Sequence, residues 1–267
     1  MIIPLRYSST NTYLIKGTAG CLLFDTGWAG TFPLFCKALG EKKLRLQDIS
    51  CIVISHYHPD HMGIAREIAD AGAVIVAAEL QKEFLHSSDH IFAKENRSSF
   101  LPIEDEKVRF IRTEDSRAFL AELGIEGELI HTPGHSDDSI SLWLDKEKTL
   151  LVGDLNPLYE LELHKGTQIA ASWDKLLALK PRRIYYSHAA PAEIGRMLFG
   201  RPAAADSDIY ALVKKMMKLI DKGCSAEEIQ KKTGAEPGFT EDVARMYLTH
   251  PNVSVQGILD RIEIKGK

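Results

Sequence analysis

No apolar run in this chain of 267 residues comes near the ~20 residues that crossing a bilayer takes. Positive charge is not in surplus either. The 33 Lys and Arg stand against 37 Asp and Glu, a net charge of −4, without the basic field that grips nucleic acid. Cysteine is scarce and scattered. Cys21, Cys36, Cys51 and Cys224 form no CxxC pair, and three lie in apolar contexts, so they read as buried thiols rather than disulfides or metal ligands. The opening Met1-Ile2-Ile3-Pro4-Leu5-Arg6-Tyr7 lacks the basic start and long apolar core of a signal peptide. These absences predict a cytoplasmic protein that neither enters a membrane nor binds nucleic acid. What is present is ordinary for a globular chain: 45% apolar and 26% charged residues, and length for one large domain or a large and a small one.

Along the first two thirds, short apolar runs alternate with helical spacing. Residues 11–15 and 21–24 read as strands joined by a turn over 17–20, and the second ends in Asp25-Thr26-Gly27. Residues 32–39 have helical spacing with Gly40 as a stop. Cys51-Ile52-Val53-Ile54 is a bounded β-branched run, hence a buried strand. Further strand signals fall at 74–77, 108–111, 128–131, 140–144, 149–152 and 183–186, and helices are expected over 62–71, 116–123 and 173–179. Residues 79–100 differ: they are polar, carry His86 and His90, and predict a helix and a loop. The alternation predicts a layered α/β protein.

Directly after the run at 51–54 stands Ser55-His56-Tyr57-His58-Pro59-Asp60-His61. It places four metal donors where a strand ends and a helix begins, a point at which the backbone is held on both sides. Imidazole and carboxylate together suit zinc and its neighbours. Asp60 is placed to cap the helix that follows. Asp25, His135, Asp154 and His188 also follow strand-like runs. Strand ends gathered on one edge of a sheet sandwich would bring all of these groups into one pocket.

His56-x-His58-x-Asp60-His61 resembles the signature of the metallo-β-lactamase superfamily of binuclear metallohydrolases, and its partner residues extend the resemblance over about residues 1–190. The resemblance implies an αββα sandwich of class α/β over residues 1–200, followed by a small C-terminal helical domain over 201–267. It implies two divalent metal ions, zinc in the first place, with iron or manganese also accommodated. His56, His58 and His135 match the ligands of the first metal. Asp60, His61 and His188 match the second, and Asp154 matches the aspartate that bridges them. A hydroxide between the metals would attack an ester, thioester or lactone carbonyl, with Asp60 orienting it and passing a proton to the leaving group. Asp25 would support the site through hydrogen bonds to a ligand, against the plainer reading of Asp-Thr-Gly as a turn. Tyr159, shortly after Asp154, is a candidate for bonding a substrate carbonyl. His131, His164 and His250 read as packing or surface residues. One of Asp137 and Asp138 either bonds a ligand histidine or shapes the turn into the next strand.

Within the superfamily the resemblance leans to the hydroxyacylglutathione hydrolases and the lactone hydrolases, which share the full seven-ligand set. Two alternatives stand beside it: a phosphodiesterase of the same fold, and a non-enzymatic binding or regulatory protein that retains the fold. The first wants a basic binding arm or long insertions, and the second leaves seven donors without a task. Residues 206–267 read as capped helices over 209–219, from Ser225 to Gly234, over 243–248 and over 255–262, with Ser225-Ala226-Glu227-Glu228 as a capping box and Glu236-Pro237-Gly238 as a turn. Ten Lys and Arg balance ten Asp and Glu there, which counts against a helix-turn-helix that grips phosphates. These helices are expected to cap the pocket, wall it, or form a homodimer contact. The expected partner is a small-molecule substrate.

Overall fold

In the computed structural model, which describes residues 1–94, 99–194, 207–250 and 253–265, the apolar runs assemble into two sheets. The first contains β1 (Ile2–Leu5), β2 (Thr12–Lys16), β3 (Cys21–Phe24), β4 (Cys51–Val53), β5 (Val74–Ala78) and β6 (Val108–Ile111), side by side in that order. β1 to β3 are antiparallel and β3 to β6 are parallel. Parallel neighbours need crossovers. Helix α1 (Phe32–Glu41) lies on the first, and α2 (Pro59–Met62) with α3 (Ala65–Asp70) on the second. Helix α4 (Asp89–Lys94) lies between β5 and β6, and α5 (Ser116–Glu122) leads into the second sheet. That sheet is ordered β11 (Ala192–Glu193), β10 (Arg183–Tyr185), β9 (Thr149–Leu151), β8 (Ile140–Leu144) and β7 (Gly127–His131). Only β9 and β10 run parallel in it, and α6 (Gln168–Ala178) connects them.

Successive side chains on a strand point to opposite faces, and this sorts the core into layers. Leu14, Leu23, Ile52 and Ile75 face outward and meet Phe35 and Leu39 of α1 and Ile68 of α3. Their neighbours Tyr13, Leu22, Phe24, Val53 and Val76 face inward and meet Leu129, Leu142, Leu144 and Leu151 of the second sheet. The far side of that sheet, with Trp143, Leu150 and Ile184, packs on Trp173 and Leu176 of α6. The order is helix, sheet, sheet, helix, as expected. Both faces of the central strands are covered, which is why their sequences are unbroken apolar runs rather than alternating ones.

The structure departs from the sequence reading at several points. The helix expected over 62–71 is two pieces, and His58 rather than Asp60 holds the cap position of the first. Gly63 parts them. A Cβ at Gly63 would lie 2.2 Å from the Ala29 amide nitrogen, and the Gly63 amide donates to the Gly27 carbonyl at 2.8 Å, so the chain there is pressed against other backbone. The two-residue strand β11 was not foreseen, being too short to show a pattern. Cys21 and Cys51 are buried thiols, whereas Cys36 is exposed on α1.

The C-terminal residues form α7 (Ser207–Asp221), α8 (Ala226–Thr233), α9 (Pro237–Thr249) and α10 (Val255–Lys265), which share a cluster built on Val213, Met216, Ile229, Val243 and Ile258. The Ser225 capping box is present, with both bonds made between Ser225 and Glu228, and Gly234 closes α8 in the left-handed conformation. The turn expected at 236–238 is instead the start of α9, since the fixed φ of Pro237 suits a first helical position. The expected boundary at 200/201 lies outside the described residues. Among the described residues no helix is long and apolar enough to cross a membrane.

Helix α10 is tied to the segment that follows β9. Tyr159 donates its hydroxyl to Asp260 Oδ2 at 2.6 Å, and the fully buried Glu160 accepts from the Ser254 amide and from Asn156 Nδ2, each at 2.8 Å. The polar stretch after β5 is held at its base by His86, whose ring nitrogens lie 2.9 Å from Asp89 Oδ2 and from Asp105 Oδ1.

Two outcomes are expected. Trp173 is fully buried and its Nε1 donates to the Asn156 carbonyl. Trp173→Ala should therefore cost about 3–5 kcal/mol, read as a lower denaturant midpoint at an unchanged slope. Hydrogen bonding to Asp105, then to Asp89, outweighs partial burial and raises the His86 pKa. The clasp is thus complete below the unfolded value of about 6.5 and is lost as pH rises through the higher folded one. A proton-NMR titration should place the His86 midpoint above that of a free imidazole, and Asp105→Asn should bring it down.

Candidate metal centre

The residues singled out in sequence leave the C-terminal ends of strands on one edge of the sandwich. Asp25 follows β3, the 55–61 stretch follows β4, His135 follows β7, Asp154 follows β9 and His188 follows β10. Parallel pairing of β3 with β4 and of β9 with β10 sets the loops of each sheet side by side. Bonds between the sheets complete the edge: the Ile140 amide donates to the Ser55 carbonyl at 2.8 Å, and Tyr13 donates its hydroxyl to the Tyr186 carbonyl at 2.7 Å.

The structure brings all seven expected donors together. On one side His56 Nε2 and His135 Nε2 approach His58 Nδ1 to 2.9 and 3.1 Å. On the other, Asp60 Oδ2 lies 2.8 Å from His188 Nε2 and 3.5 Å from His61 Nε2. Asp154 stands between. Its Oδ2 is 3.5 Å from His135 Nε2, while its Oδ1 is 3.3 Å from both His61 Nε2 and His188 Nε2. Three groups have ligand atoms close enough to hold a metal ion: His56, His58 and His135; His56, His61 and Asp154; and Asp60, His61 and His188.

The electrostatics divide the cluster in the same place. Burial, reinforced by the neighbouring imidazoles, pushes His56 well below its ordinary pKa, and burial takes His135 down to about 4. Burial lowers His58 too. All three are neutral at pH 7 and keep a lone pair free. Burial acts downward on His61 as well, but the carboxylates of Asp60, Asp154 and Asp25 outweigh it and hold that imidazole well above its ordinary value. His188 is raised in the same way by Asp154 and Asp60. Burial acts upward on Asp60 and Asp154, and the facing histidines overcome it, holding both below the usual carboxylate range.

This donor set fits divalent metal ions. His61 Nε2 and Asp154 Oδ1 are buried side-chain atoms with no hydrogen-bond partner, although they face one another in the middle of the cluster. Three neutral imidazole nitrogens converging within about 3 Å are likewise a poor hydrogen-bond network and a good coordination face.

A layer of partners orients these donors. Asp25, 0% exposed, accepts from the Ser55 amide at 2.7 Å, the Ser55 hydroxyl at 3.0 Å, the Ser187 hydroxyl at 3.2 Å and His61 Nδ1 at 2.9 Å. It therefore bonds His61 of the cluster and is not a plain turn residue. Asp138 accepts from the Tyr57 amide at 2.7 Å and thus fixes the backbone between His56 and His58 without touching either ring. Gln81 was not foreseen: buried, it donates from Nε2 to the carbonyls of Ile54, Ser55 and Asp138. Ser55 and Ser187 were also missed, since a serine in a loop gives no signal of a partner far along the chain. Tyr159 bonds Asp260, His131 Nε2 bonds the Asp137 carbonyl, and His86 stays in its carboxylate clasp.

The chain belongs to the metallo-beta-lactamase superfamily, whose family model matches residues 5–188. A beta-lactamase-like protein 2 homolog of Caenorhabditis elegans is 30% identical over 192 residues, covering 69% of this chain and 57% of that protein. An atrochrysone carboxyl ACP thioesterase of Aspergillus terreus is 26% identical over 150 residues, covering 54% of this chain and 38% of that protein. The match thus spans from about two fifths to just over half of these relatives' lengths. The crystal structure of a metallo-beta-lactamase family protein from Thermus thermophilus shares the fold, with a TM-score of 0.57 at 21% identity over all of this chain and 93% of that one.

Replacing Asp25 tests how far the cluster depends on it. Asp25→Ala strands four donors in a dry interior and should destabilise the metal-free protein by about 3–5 kcal/mol, as loss of a buried charged partner does. Chemical unfolding after treatment with a chelator measures this.

Proposed function

We propose that this chain is a hydrolase working with two divalent metal ions, zinc in the first place, and that it cleaves an ester, thioester or lactone bond of a small molecule. The observation that carries this reading is the division of Asp154, whose Oδ2 faces His135 while its Oδ1 faces His61 and His188. A carboxylate aimed both ways suits a bridge between two cations. In this reading His56, His58 and His135 hold one ion, Asp60, His61 and His188 hold the other, and Asp154 joins them. When bound, the ions would supply a nucleophilic hydroxide near neutral pH and Lewis-acid polarisation of the carbonyl oxygen.

The chain's own groups supply the rest. Asp25 holds the proton on His61 Nδ1 and so presents Nε2 to the centre. Asp60, partly exposed and ionised at pH 7, would orient the nucleophile and relay a proton to the leaving group. His58 and His135, only partly buried, line the approach from the other side. The carbonyl choice is supported by the thioesterase name of the Aspergillus terreus relative. A net charge of −4, with no basic surplus, sits less well with a polyanionic substrate.

The test combines elemental analysis with a parallel assay over thioesters, lactones, β-lactams and phosphodiesters. Near two metal ions per chain and turnover of a thioester or lactone are expected. Asp154→Ala should lower the metal content and reduce kcat on the order of 10²-fold or more. Unchanged turnover in that variant, or faster cleavage of phosphodiesters than of any carbonyl ester, would overturn the reading.

A further inference from the structure

The short loop between β1 and β2 reaches the centre from a direction the sequence motif does not suggest. Thr10 is fully buried, and its hydroxyl donates to Asp60 Oδ2 at 3.0 Å. The hydroxyl is the donor of this bond and the carboxylate oxygen accepts it. Oδ2 is also the oxygen that faces His188 and His61. Among the described residues, Thr10 is the only hydroxyl that bonds it. Asp60 stands in the first turn of a four-residue helix, Pro59–Met62, so its carboxylate is held by the side chains around it: His188, His61 and Thr10. A threonine is stiff about χ1, which makes it a fixed donor.

The neighbours of Thr10 act on His188. His188 Nδ1 lies 3.1 Å from the Ser9 carbonyl oxygen. A carbonyl only accepts, so Nδ1 carries a proton and Nε2 is the nitrogen that faces Asp60 and Asp154. Trp28 Nε1 donates to the Ser9 hydroxyl at 3.2 Å. Asn11 is fastened on both sides of His188: its amide donates to the Ser187 carbonyl at 2.9 Å, and its Nδ2 to the carbonyls of Tyr186 at 3.2 Å and Ala189 at 3.4 Å. Three consecutive residues of the β1–β2 loop thus hold the Asp60 carboxylate of α2 and the His188 imidazole that follows β10 in one register.

We propose that Ser9-Thr10-Asn11 is the positioning element of the Asp60–His188 half of the metal centre, with the Thr10 hydroxyl as its working group. Thr10 is a positioning residue that sets the aim of Asp60 and thereby the affinity of that half for a divalent ion. This inference rests on the two-metal reading above.

The experiment is a chelator competition on the full-length protein loaded with Zn2+, following metal loss and needing no substrate. Loss of metal donor orientation typically costs 10–100-fold in affinity, so Thr10→Val should release one of the two ions at about 10–100-fold lower chelator concentration and leave the other where it was. Thr10→Ser keeps the hydroxyl and should stay within about threefold of the parent. Thermal unfolding of the metal-free variants checks that they fold, and Thr10→Ala replaces the valine variant if that one does not. A valine variant that holds both ions like the parent overturns the proposal. So does a serine variant that loses metal as the valine one does, or a valine variant that loses both ions together. A parent that never holds two ions overturns the two-metal reading itself, and the proposal falls with it. These outcomes are distinguishable because the first three appear in the variants and the last in the parent.

Discussion

The arrangement depends on a carboxylate sealed away from water. Asp25 accepts from donors of β4's loop, of α2 and of β10's loop, that is, from both sheets. A polar group this deep is tolerable only when its lone pairs are filled. The two sheets must therefore approach to a fixed distance at this edge, or the group loses partners. Its backbone φ of 64° lies in the left-handed region, which aspartate tolerates better than most residues, and turns the side chain inward rather than along the strand. The same carboxylate fixes the tautomer of His61, so the demand of one buried group for donors becomes the orientation of an imidazole in the cluster.

From there the site separates by charge rather than by distance. The imidazoles of His56, His58 and His135 are neutral because burial outweighs everything near them. His61 and His188, in an equally dry place, are pulled the other way by facing carboxylates. One half offers lone pairs with no charge of its own. The other already contains compensated charge, in which a proton occupies positions suited to a cation. Asp154 belongs to both halves, and its place at the end of β9 makes that geometrically available.

Much of this was legible in the sequence, and for a physical reason. Strands covered on both faces must be apolar throughout, so Cys51-Ile52-Val53 and Leu150-Leu151-Val152 announced themselves, and the donors stood directly after them. What was not legible is set by the third dimension. Gln81 and Thr10 meet partners 50 or more residues away, and nothing local distinguishes them from ordinary polar residues. The helix after the motif looked continuous because Gly63 reads as a mild weakness, whereas its role is to let two stretches of backbone touch. Pro237 read as part of a turn because the same fixed φ serves a turn and a first helical position.

Helix α10 begins about a hundred residues after Asp154, yet its Ser254 amide and Asp260 carboxylate bond the segment that leads away from that aspartate. Glu160 is fully buried, so opening this contact takes the Ser254 amide from one carboxylate oxygen and leaves only the bond from Asn156 on the other. Fraying of this helix therefore strips donors and acceptors from Tyr159 and Glu160, five and six residues after Asp154. The helix thus acts as a tie across about a hundred residues of chain, holding in place the segment that leaves the Asp154 end of β9.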